Sequence, residues 1–169
     1  MNSCENLMEM SQPLFALLNT SCAGGVSSEA ILANQCQHVG VLIKLEPAAG
    51  NTASDQVTVT LWSQNKAGSA ETQLEIDGVY VLTGANDLTD TTLEYEFESI
   101  DDALEYVTAV ADGTKEISLY FRVRSRLLQA KDEIYVRADL ESVNARIANV
   151  ILIAEWKNSG PDAARDWLT

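Results

Sequence analysis

Apolar and polar residues alternate along most of this chain, and the alternation predicts β-strands that each bury one face. The clearest run is residues 117–123, ISLYFRV, in which every second residue is apolar while Tyr120 and Arg122 lie on the opposite face. Turn residues separate the runs, and the Asp77–Gly78 pair fits either a tight turn or a bulge. The same alternation predicts further strands at residues 39–46, 57–62, 74–76, 79–81, 93–98, 134–140 and 147–156.

The number and spacing of these runs predict an all-β fold, an antiparallel β-sandwich of jelly-roll or immunoglobulin-like type. Residues 147–156 are apolar on both faces, which predicts a strand that is buried on both sides or covered by a partner. Residues 101–111 carry apolar positions at helical spacing but also fit a strand, so both assignments stay open. A chain of 169 residues is of one-domain size and buries a core without disulfides or a metal.

The two ends of the chain lack this alternation. Residues 1–38, interrupted by Gly24 and Gly25, are predicted to form an N-terminal arm that is extended or partly helical. Residues 39–157 then form the β-sandwich domain, and residues 158–169 form a short C-terminal tail. Both ends carry large apolar side chains that are expected to dock rather than stay in water. The candidate subunit-contact residues at the ends are Phe15, Leu17, Leu18, Trp167 and Leu168.

Charge narrows the classes of partner. The chain has 25 acidic and 11 basic residues and a formal net charge of -14, so phosphate backbones would repel it and nucleic acid is not expected as a partner. Residues 1–113 hold two basic residues against 17 acidic ones, whereas residues 114–169 hold nine against eight. This lopsided distribution suggests orientation at a contact, although solvated surface charge explains it equally well.

The chain shows no sign of export or membrane insertion. It begins without a basic segment followed by an apolar run, and no apolar run approaches the length of a membrane span, so we expect a soluble, unexported protein with no membrane partner. The three cysteines match no disulfide or zinc spacing, and we expect reduced thiols made in a cytoplasm. They are Cys4, Cys22 and Cys36.

A search for catalytic and metal-binding residues finds little. The single histidine, His38, lies two residues after Cys36, but a nucleophile and base also need an orienting group, and a structural zinc ion needs four ligands. Acidic pairs such as Asp87 and Asp90 could suit calcium or a glycosidase, but an acidic composition produces such pairs by chance. No nucleotide-binding or serine-hydrolase motif is present. We therefore predict no enzyme activity, no catalytic residues, no cofactor and no metal.

The most specific polar feature is a row of three arginines on one face of a predicted strand, since neighbouring guanidinium groups repel each other unless acidic groups lie opposite. One interpretation is a cross-strand ladder with the Glu94, Glu96 and Glu98 row, which has the same two-residue spacing. The other is an acidic patch on another subunit. The arginines Arg122, Arg124 and Arg126 are therefore candidate subunit-contact residues as well.

Three segments carry a family resemblance: VGVLIKLEPAAGNTASDQVTVTLWSQ, then LEIDGVYVLTG, then ISLYFRVRSRLLQAKDEIYVRADLESVNARIANVILIAEW. Over roughly residues 29–156 their order resembles a family of small structural proteins of tailed bacteriophages that accompany the major capsid protein. The SGPDAARDWLT tail and the charge at Arg122 to Arg126 depart from that pattern.

The resemblance implies a head decoration (cement) protein that binds the outside of the capsid in many copies and stabilises it. The implied partners are the major capsid protein and the chain itself, as a homo-oligomer for which a trimer is preferred. The implied location is the capsid surface of the virion, after synthesis in the host cytoplasm.

Three other functions compete with this one. A receptor- or carbohydrate-binding module of a tail or fibre would need exposed aromatic residues, and Trp62 and Tyr120 lie on predicted outward faces. A tail-completion or head-to-tail adaptor protein is a close neighbour of the decoration hypothesis. A small hydrolase would have to depend on His38.

Overall fold

The computed structural model describes residues 11–33, 36–65, 71–83, 96–124 and 134–156. These residues form an all-β protein, as predicted, with a single 3₁₀ turn at Val110–Asp112. The strands are β1 (Ser11–Ser21), β2 (Val26–Ser27), β3 (Ile31–Leu32), β4 (Cys36–Pro47), β5 (Val57–Asn65), β6 (Glu71–Leu74), β7 (Ile76–Thr83), β8 (Glu96–Ala103), β9 (Glu105–Val107), β10 (Ile117–Arg124), β11 (Ile134–Ser142) and β12 (Arg146–Trp156).

The strands form two antiparallel sheets. Sheet 1 has six strands in the order β1-β12-β4-β10-β7-β8. Sheet 2 has the order β2-β11-β5-β6, with β3 also paired to β11 and β9 to β5. The first strands thus pair with the last ones, β1 with β12 and β2 and β3 with β11, and this nested pairing is that of a jelly roll rather than of an immunoglobulin domain.

The core lies between the sheets, where each strand contributes every second residue. In β4 the inward residues are fully buried and β-branched or leucine, which suits a pleated surface. Burying one such side chain contributes about 1.5–3 kcal/mol. The inward residues of β4 are Val39, Val41, Ile43 and Leu45, and those of β12 are Ala148, Val150, Leu152 and Ala154.

The N-terminal segment differs from its prediction. Residues 11–33 form β1, β2 and β3 within the sandwich instead of an arm, because Leu14 and Leu17 pack against the core. The pairing of β1 with β12 shifts register after Phe15 and again after Leu17, and these bulges remove the period of two that marks a strand. Residues 1–10 and the predicted tail at 158–169 lie outside the described residues.

Two assignments that the sequence leaves open are resolved by the pairing. Residues 101–111 contain no α-helix: they complete β8, form β9 and enter the 3₁₀ turn. The Asp77–Gly78 pair lies inside β7, whose pairing with β8 shifts register between Ile76 and Gly78, so this pair marks a bulge and not a turn.

The connection between β4 and β5 is organised by one carboxylate. Asp55 accepts hydrogen bonds from the Thr52 backbone N–H at 2.6 Å and from the side-chain amides of Asn51 at 3.1 Å and Asn144 at 2.6 Å. These donors, the Thr52 N–H first, lower the pKa of Asp55. Because Asn144 lies between β11 and β12, this carboxylate also ties two connections at the same end of the sandwich together.

We expect Asp55→Asn to lower the melting temperature at neutral pH and to have less effect in acid. Since the pKa of Asp55 is lower in the folded state than in the unfolded one, its contribution is present above the unfolded pKa and is lost as the pH falls through the folded pKa, below about 4. Thermal unfolding followed by circular dichroism from about pH 7 to about pH 3 measures this. The exposed Glu141→Gln is the control, and an equal effect of Asp55→Asn at all pH values would contradict the prediction.

Candidate interaction surfaces

The outer face of sheet 1 carries an apolar row that crosses all six strands. The register aligns one apolar residue from each strand, because β8 pairs with β7, β7 with β10, β10 with β4, β4 with β12, and β12 with β1. Every described strand belongs to one of the two sheets, so no strand of the described chain covers this face. We call these residues the apolar row: Phe97, Tyr80, Tyr120, Leu42, Ile151 and Phe15.

The row is open to solvent at both ends, and four of its six residues are aromatic. Phe15 is 61% exposed and Phe97 is 57% exposed, whereas Leu42 and Ile151 in the middle are half-buried. The ring centroids of Tyr80 and Phe97 are 5.0 Å apart, within the range of favourable aromatic pairs. Exposed apolar area of this kind marks interaction sites in soluble proteins.

Two glycines keep this face flat. A Cβ atom at Gly78 would lie 2.6 Å from Phe97 Cζ, and one at Gly40 would lie 3.0 Å from Tyr120 Cε2. The two aromatic rings therefore lie directly against the backbone of the neighbouring strand, in space that any other residue would fill. A flat face suits packing against another flat surface better than it suits enclosing a small molecule.

Charged groups lie at the two ends of the face. On one side of the row, Lys44 forms ion pairs with Glu116 at 3.0 Å and Glu46 at 3.1 Å, and hydrogen bonding to Glu116 and then Glu46 raises the pKa of Lys44. On the other side, Arg122 Nη2 lies 3.1 Å from Nδ1 of His38. The apolar row thus runs between an acidic end and a basic end.

The predicted arginine ladder is wrong. Arg122 lies on the outer face of β10, but β8, which carries Glu96 and Glu98, pairs with β7 and lies two strands away. Glu98 also pairs with the inward residue Val79, and it accepts a hydrogen bond from the buried Tyr106, whose pKa is raised by burial and then by Glu98. Glu98 therefore lies on the inward side of β8, and Phe97 faces outward.

The structure brings three of the candidate contact residues onto the outer face of sheet 1. Phe15 and Leu18 are exposed on β1, and Arg122 is exposed on β10, while Leu17 packs against the core. Arg124 pairs with His38 in the backbone register of β10 and β4. Arg126, Trp167, Leu168 and Glu94 lie outside the described residues.

Phe97 and Tyr80 could not be assigned to this face from the sequence, whereas Tyr120 is predicted to face outward and Phe15 is a candidate contact residue. Phe97 belongs to a strictly alternating run, which predicts that its apolar side is the buried one, and the register shows the reverse. One available signal is the pair of glycines inside strands, Gly40 and Gly78, since an interior glycine often marks close approach of another group.

A second apolar surface lies on sheet 2. Leu104, Val107 and Val110 are all exposed along β9 and the 3₁₀ turn, with Val110 57% exposed. We call these three residues the β9 ridge. Because β9 pairs with β5 of sheet 2, the ridge and the apolar row belong to opposite sheets of the sandwich.

A trough of about 410 Å³ lies beside the ridge on sheet 2. Thr58, Thr60 and Trp62 of β5 form part of its lining. Trp62 donates a hydrogen bond from Nε1 to Thr60 Oγ1 at 3.0 Å, which holds the indole in place. Further lining residues are Gly25, Val26, Ser27, Glu105, Asp139, Leu140 and Glu141.

Arg137 contacts two residues that line this trough, Asp139 and Trp62. Arg137 hydrogen bonds through Nε to Asp139 at 2.9 Å and through Nη2 to Glu71 at 3.0 Å, and its Nη1 also contacts Glu71. Hydrogen bonding to Glu71, and then to Asp139, raises the pKa of Arg137, and the hydrogen bond from Arg137 lowers the pKa of Glu71. The guanidinium carbon lies 5.8 Å from the ring centroid of Trp62, so the cluster fixes the aromatic wall.

The Cys36–His38 pair does not have the chemistry of an activated nucleophile. Burial raises the pKa of Cys36 to about 12, so its thiol is uncharged at neutral pH. Burial likewise raises the pKa of Cys22 to about 11. Within the described ranges, no group of three or more His, Cys, Asp or Glu side chains is placed to hold a metal ion. The same residues include no helix that is long and apolar enough to span a membrane.

Comparison with known proteins shows a structural likeness. No family model matches the chain, and no curated protein matches it. Among solved structures, the crystal structure of the SPBc2 prophage-derived protein YomS is similar, with a TM-score of 0.46 and 10% sequence identity over 85% of this chain and 91% of that chain.

Proposed function

We propose that this chain is a structural protein of a tailed-phage virion that binds the outside of the head shell in many copies as a decoration (cement) protein. The proposed partners are the major capsid protein and further copies of the chain, for which the resemblance implies a trimer. The proposed location is the capsid surface, after synthesis in the host cytoplasm.

The observation that carries this proposal is the presence of two exposed apolar surfaces on opposite sheets, the apolar row and the β9 ridge. A subunit that joins others on a shell needs at least two contact surfaces, one toward the shell and one toward its neighbours. The family resemblance over residues 29–156 supports the same function from the sequence.

The net charge restricts association to surfaces whose apolar contacts outweigh the repulsion between copies. The chain carries a net charge of -14, so free copies repel each other and stay soluble, while short-range apolar contacts act only where surfaces fit. We assign the β9 ridge to the head shell, because its three side chains are exposed on the sheet opposite the apolar row.

Purified protein is expected to co-sediment with head shells that lack it and to saturate at many copies per shell. Val107→Glu and Val110→Glu are expected to weaken this binding, because each places a charge in the apolar ridge. Val143→Glu, at a residue 95% exposed between β11 and β12, makes the same chemical change elsewhere and should bind normally. Protein that stays in the supernatant with every shell preparation would contradict the decoration function.

The trough around Trp62 favours a second candidate, a receptor- or carbohydrate-binding module of a tail or fibre. An aromatic ring can pack against the C–H face of a sugar, and neighbouring hydroxyl and carboxylate groups can form hydrogen bonds with the hydroxyl groups of the sugar. A glycan array tests this function: the protein should bind one class of glycan and Trp62→Ala should lose it. An array without any bound glycan would contradict this candidate.

A further inference from the structure

We propose that the outer face of sheet 1 binds the same face of a second copy of this chain, so that the apolar rows of the two copies lie on each other. The proposal names the partner of one of the two apolar surfaces and therefore rests on the proposed assembly function. It replaces the expected trimer with a two-fold pair as the basic unit.

The outer face of sheet 1 is nearly as large as one side of a stable protein interface. With strands about 4.8 Å apart and residues about 3.3 Å apart along them, the face between positions 38 and 46 of β4 measures about 24 Å by 27 Å. This is on the order of 650 Å² per copy, close to the roughly 800 Å² per partner of stable protein complexes. A short peptide would cover only a fraction of it.

The shape of the face also suits a second copy. Phe97 lies on Gly78 and Tyr120 lies on Gly40, so the aromatic rings form a flat surface instead of a cleft. Two such sheets can pack face to face at about 10 Å, as the two sheets of a sandwich do. A flat apolar surface is complementary to a copy of itself.

The charges on the face are also complementary to those of a second copy. The chain has a net charge of -14, but the described side chains on this face balance, with Lys44 and Arg122 against Glu46 and Glu116. A two-fold axis along the apolar row reverses the strand direction of the second copy. The basic end of one copy, at Arg122, then lies opposite the acidic end of the other, while the remaining acidic surface faces solvent.

The same two-fold axis determines which residues of the two copies lie opposite each other. Arg122 lies two residues from Tyr120 on one side of the row, and Ser118 lies two residues away on the other side. Arg122 of one copy therefore lies opposite Ser118 of the second copy, beside its Lys44–Glu116 ion pair.

A trimer would need a different surface, because cyclic assemblies beyond two copies join two unlike patches. The apolar row is a single continuous surface that reaches both edges of sheet 1, so a heterologous contact would leave part of it exposed. A two-fold contact buries it completely on both copies.

Sedimentation equilibrium of the purified chain tests the pairing. At about 100 µM the wild type is expected to be a dimer, and the double variant Phe15→Glu/Phe97→Glu should raise its dissociation constant by about 100-fold. Both residues are exposed, so the fold should tolerate the change, which circular dichroism verifies. Val143→Glu is the matched control and should remain a dimer. A wild-type monomer or trimer, or a double variant that still dimerises, would overturn the proposal.

A charge exchange tests the orientation. Arg122→Glu should weaken the dimer about tenfold, and Ser118→Lys in the same chain should restore it. Within one copy these two positions are four residues apart on β10, about 13 Å, so the rescue depends on contact between copies. Failure of Ser118→Lys to rescue would overturn the two-fold arrangement along the row.

The oligomeric state and the binding to head shells are independent measurements, so the pairing and the decoration function can fail separately. A chain that binds head shells but is monomeric in solution refutes the pair and leaves the decoration function standing. If deleting residues 157–169 from such a monomer makes it bind a hydrophobic dye, the occupant of the face is the chain's own tail, which also overturns the pair. A dimer that does not co-sediment with head shells refutes only the decoration function.

Discussion

Arg146→Ala is expected to destabilise the fold by about 3–5 kcal/mol, one of the two largest effects of a single substitution that we expect. Arg146 is fully buried, with 0% exposure, at the start of β12. Its guanidinium donates to the carbonyl oxygens of Asp112 at 3.0 Å and Lys115 at 2.6 Å. Removing it leaves both carbonyls without this donor and opens a cavity, and each of these effects costs about 1–3 kcal/mol.

The environment of Arg146 explains why the loss should be large. Burial lowers the pKa of Arg146, and its Nε atom has no hydrogen-bond partner, so the side chain is costly to bury. Its hydrogen bonds to the carbonyl oxygens of Asp112 and Lys115 offset this cost. These hydrogen bonds hold the connection between β9 and β10 against β12, and that connection includes Val110 of the β9 ridge. Without Arg146 that connection should open and the ridge should lose its position.

Urea unfolding at neutral pH measures this effect, and two variants interpret it. Arg146→Met refills most of the volume without donating hydrogen bonds and should lose less than alanine, which separates the cavity from the lost donors. Glu75→Ala removes an exposed charged side chain and should change stability by under about 0.5 kcal/mol. A loss below about 1 kcal/mol for Arg146→Ala would mean that its two carbonyls are satisfied by water.

The strands of the core could be predicted because their signal is local. Inward residues such as Val41 and Phe121 alternate with outward ones, and this period survives wherever a strand pairs without interruption. The apolar outer face of β12 could also be predicted, because residues on both faces of this strand are apolar. Its outward residues Ile151 and Ile153 are half-buried in the structure. That pattern predicts a strand that is buried on both sides or covered by a partner, and no strand of the described chain covers its outer face.

The remaining features depend on pairings that one sequence does not show. In β1 two bulges break the alternation, so a strand at the edge of the sandwich is mistaken for an arm. In β8 the alternation is intact, but it does not show which side faces inward, and the sheet turns Phe97 outward. The apolar row exists only because six strands align in register, and that alignment is a property of the whole sheet.

Gly113→Ala is expected to destabilise the fold by about 3 kcal/mol or more, although an alanine fits its backbone angles. Gly113 has φ -58° and ψ -25°, an ordinary helical conformation, so the reason for glycine here is space and not backbone freedom. A Cβ atom would collide with the carbonyl oxygen of Thr52 and would lie 2.7 Å from the backbone nitrogen of Asp55 and 2.8 Å from the carbonyl oxygen of Ala53.

These three neighbours are backbone atoms, so no side chain can rotate away to make room. The 3₁₀ turn and the 51–55 connection would have to separate, and the hydrogen bond from the Gly113 N–H to the Ala53 carbonyl, 3.1 Å long, would break. Asp55 would lose its position in the same movement, which adds the loss of its hydrogen bonds to the steric cost.

Gly50→Ala is the matched control, because it makes the same chemical change at a glycine whose Cβ would meet nothing within 4 Å. Gly50 has φ +92°, so alanine there should cost only about 1–2 kcal/mol of backbone strain. Chemical unfolding of both variants should therefore place Gly113→Ala at least about 1 kcal/mol below Gly50→Ala. Equal losses would mean that the 51–55 connection moves away freely, and then neither Gly113 nor the Asp55 network would hold this end of the sandwich together.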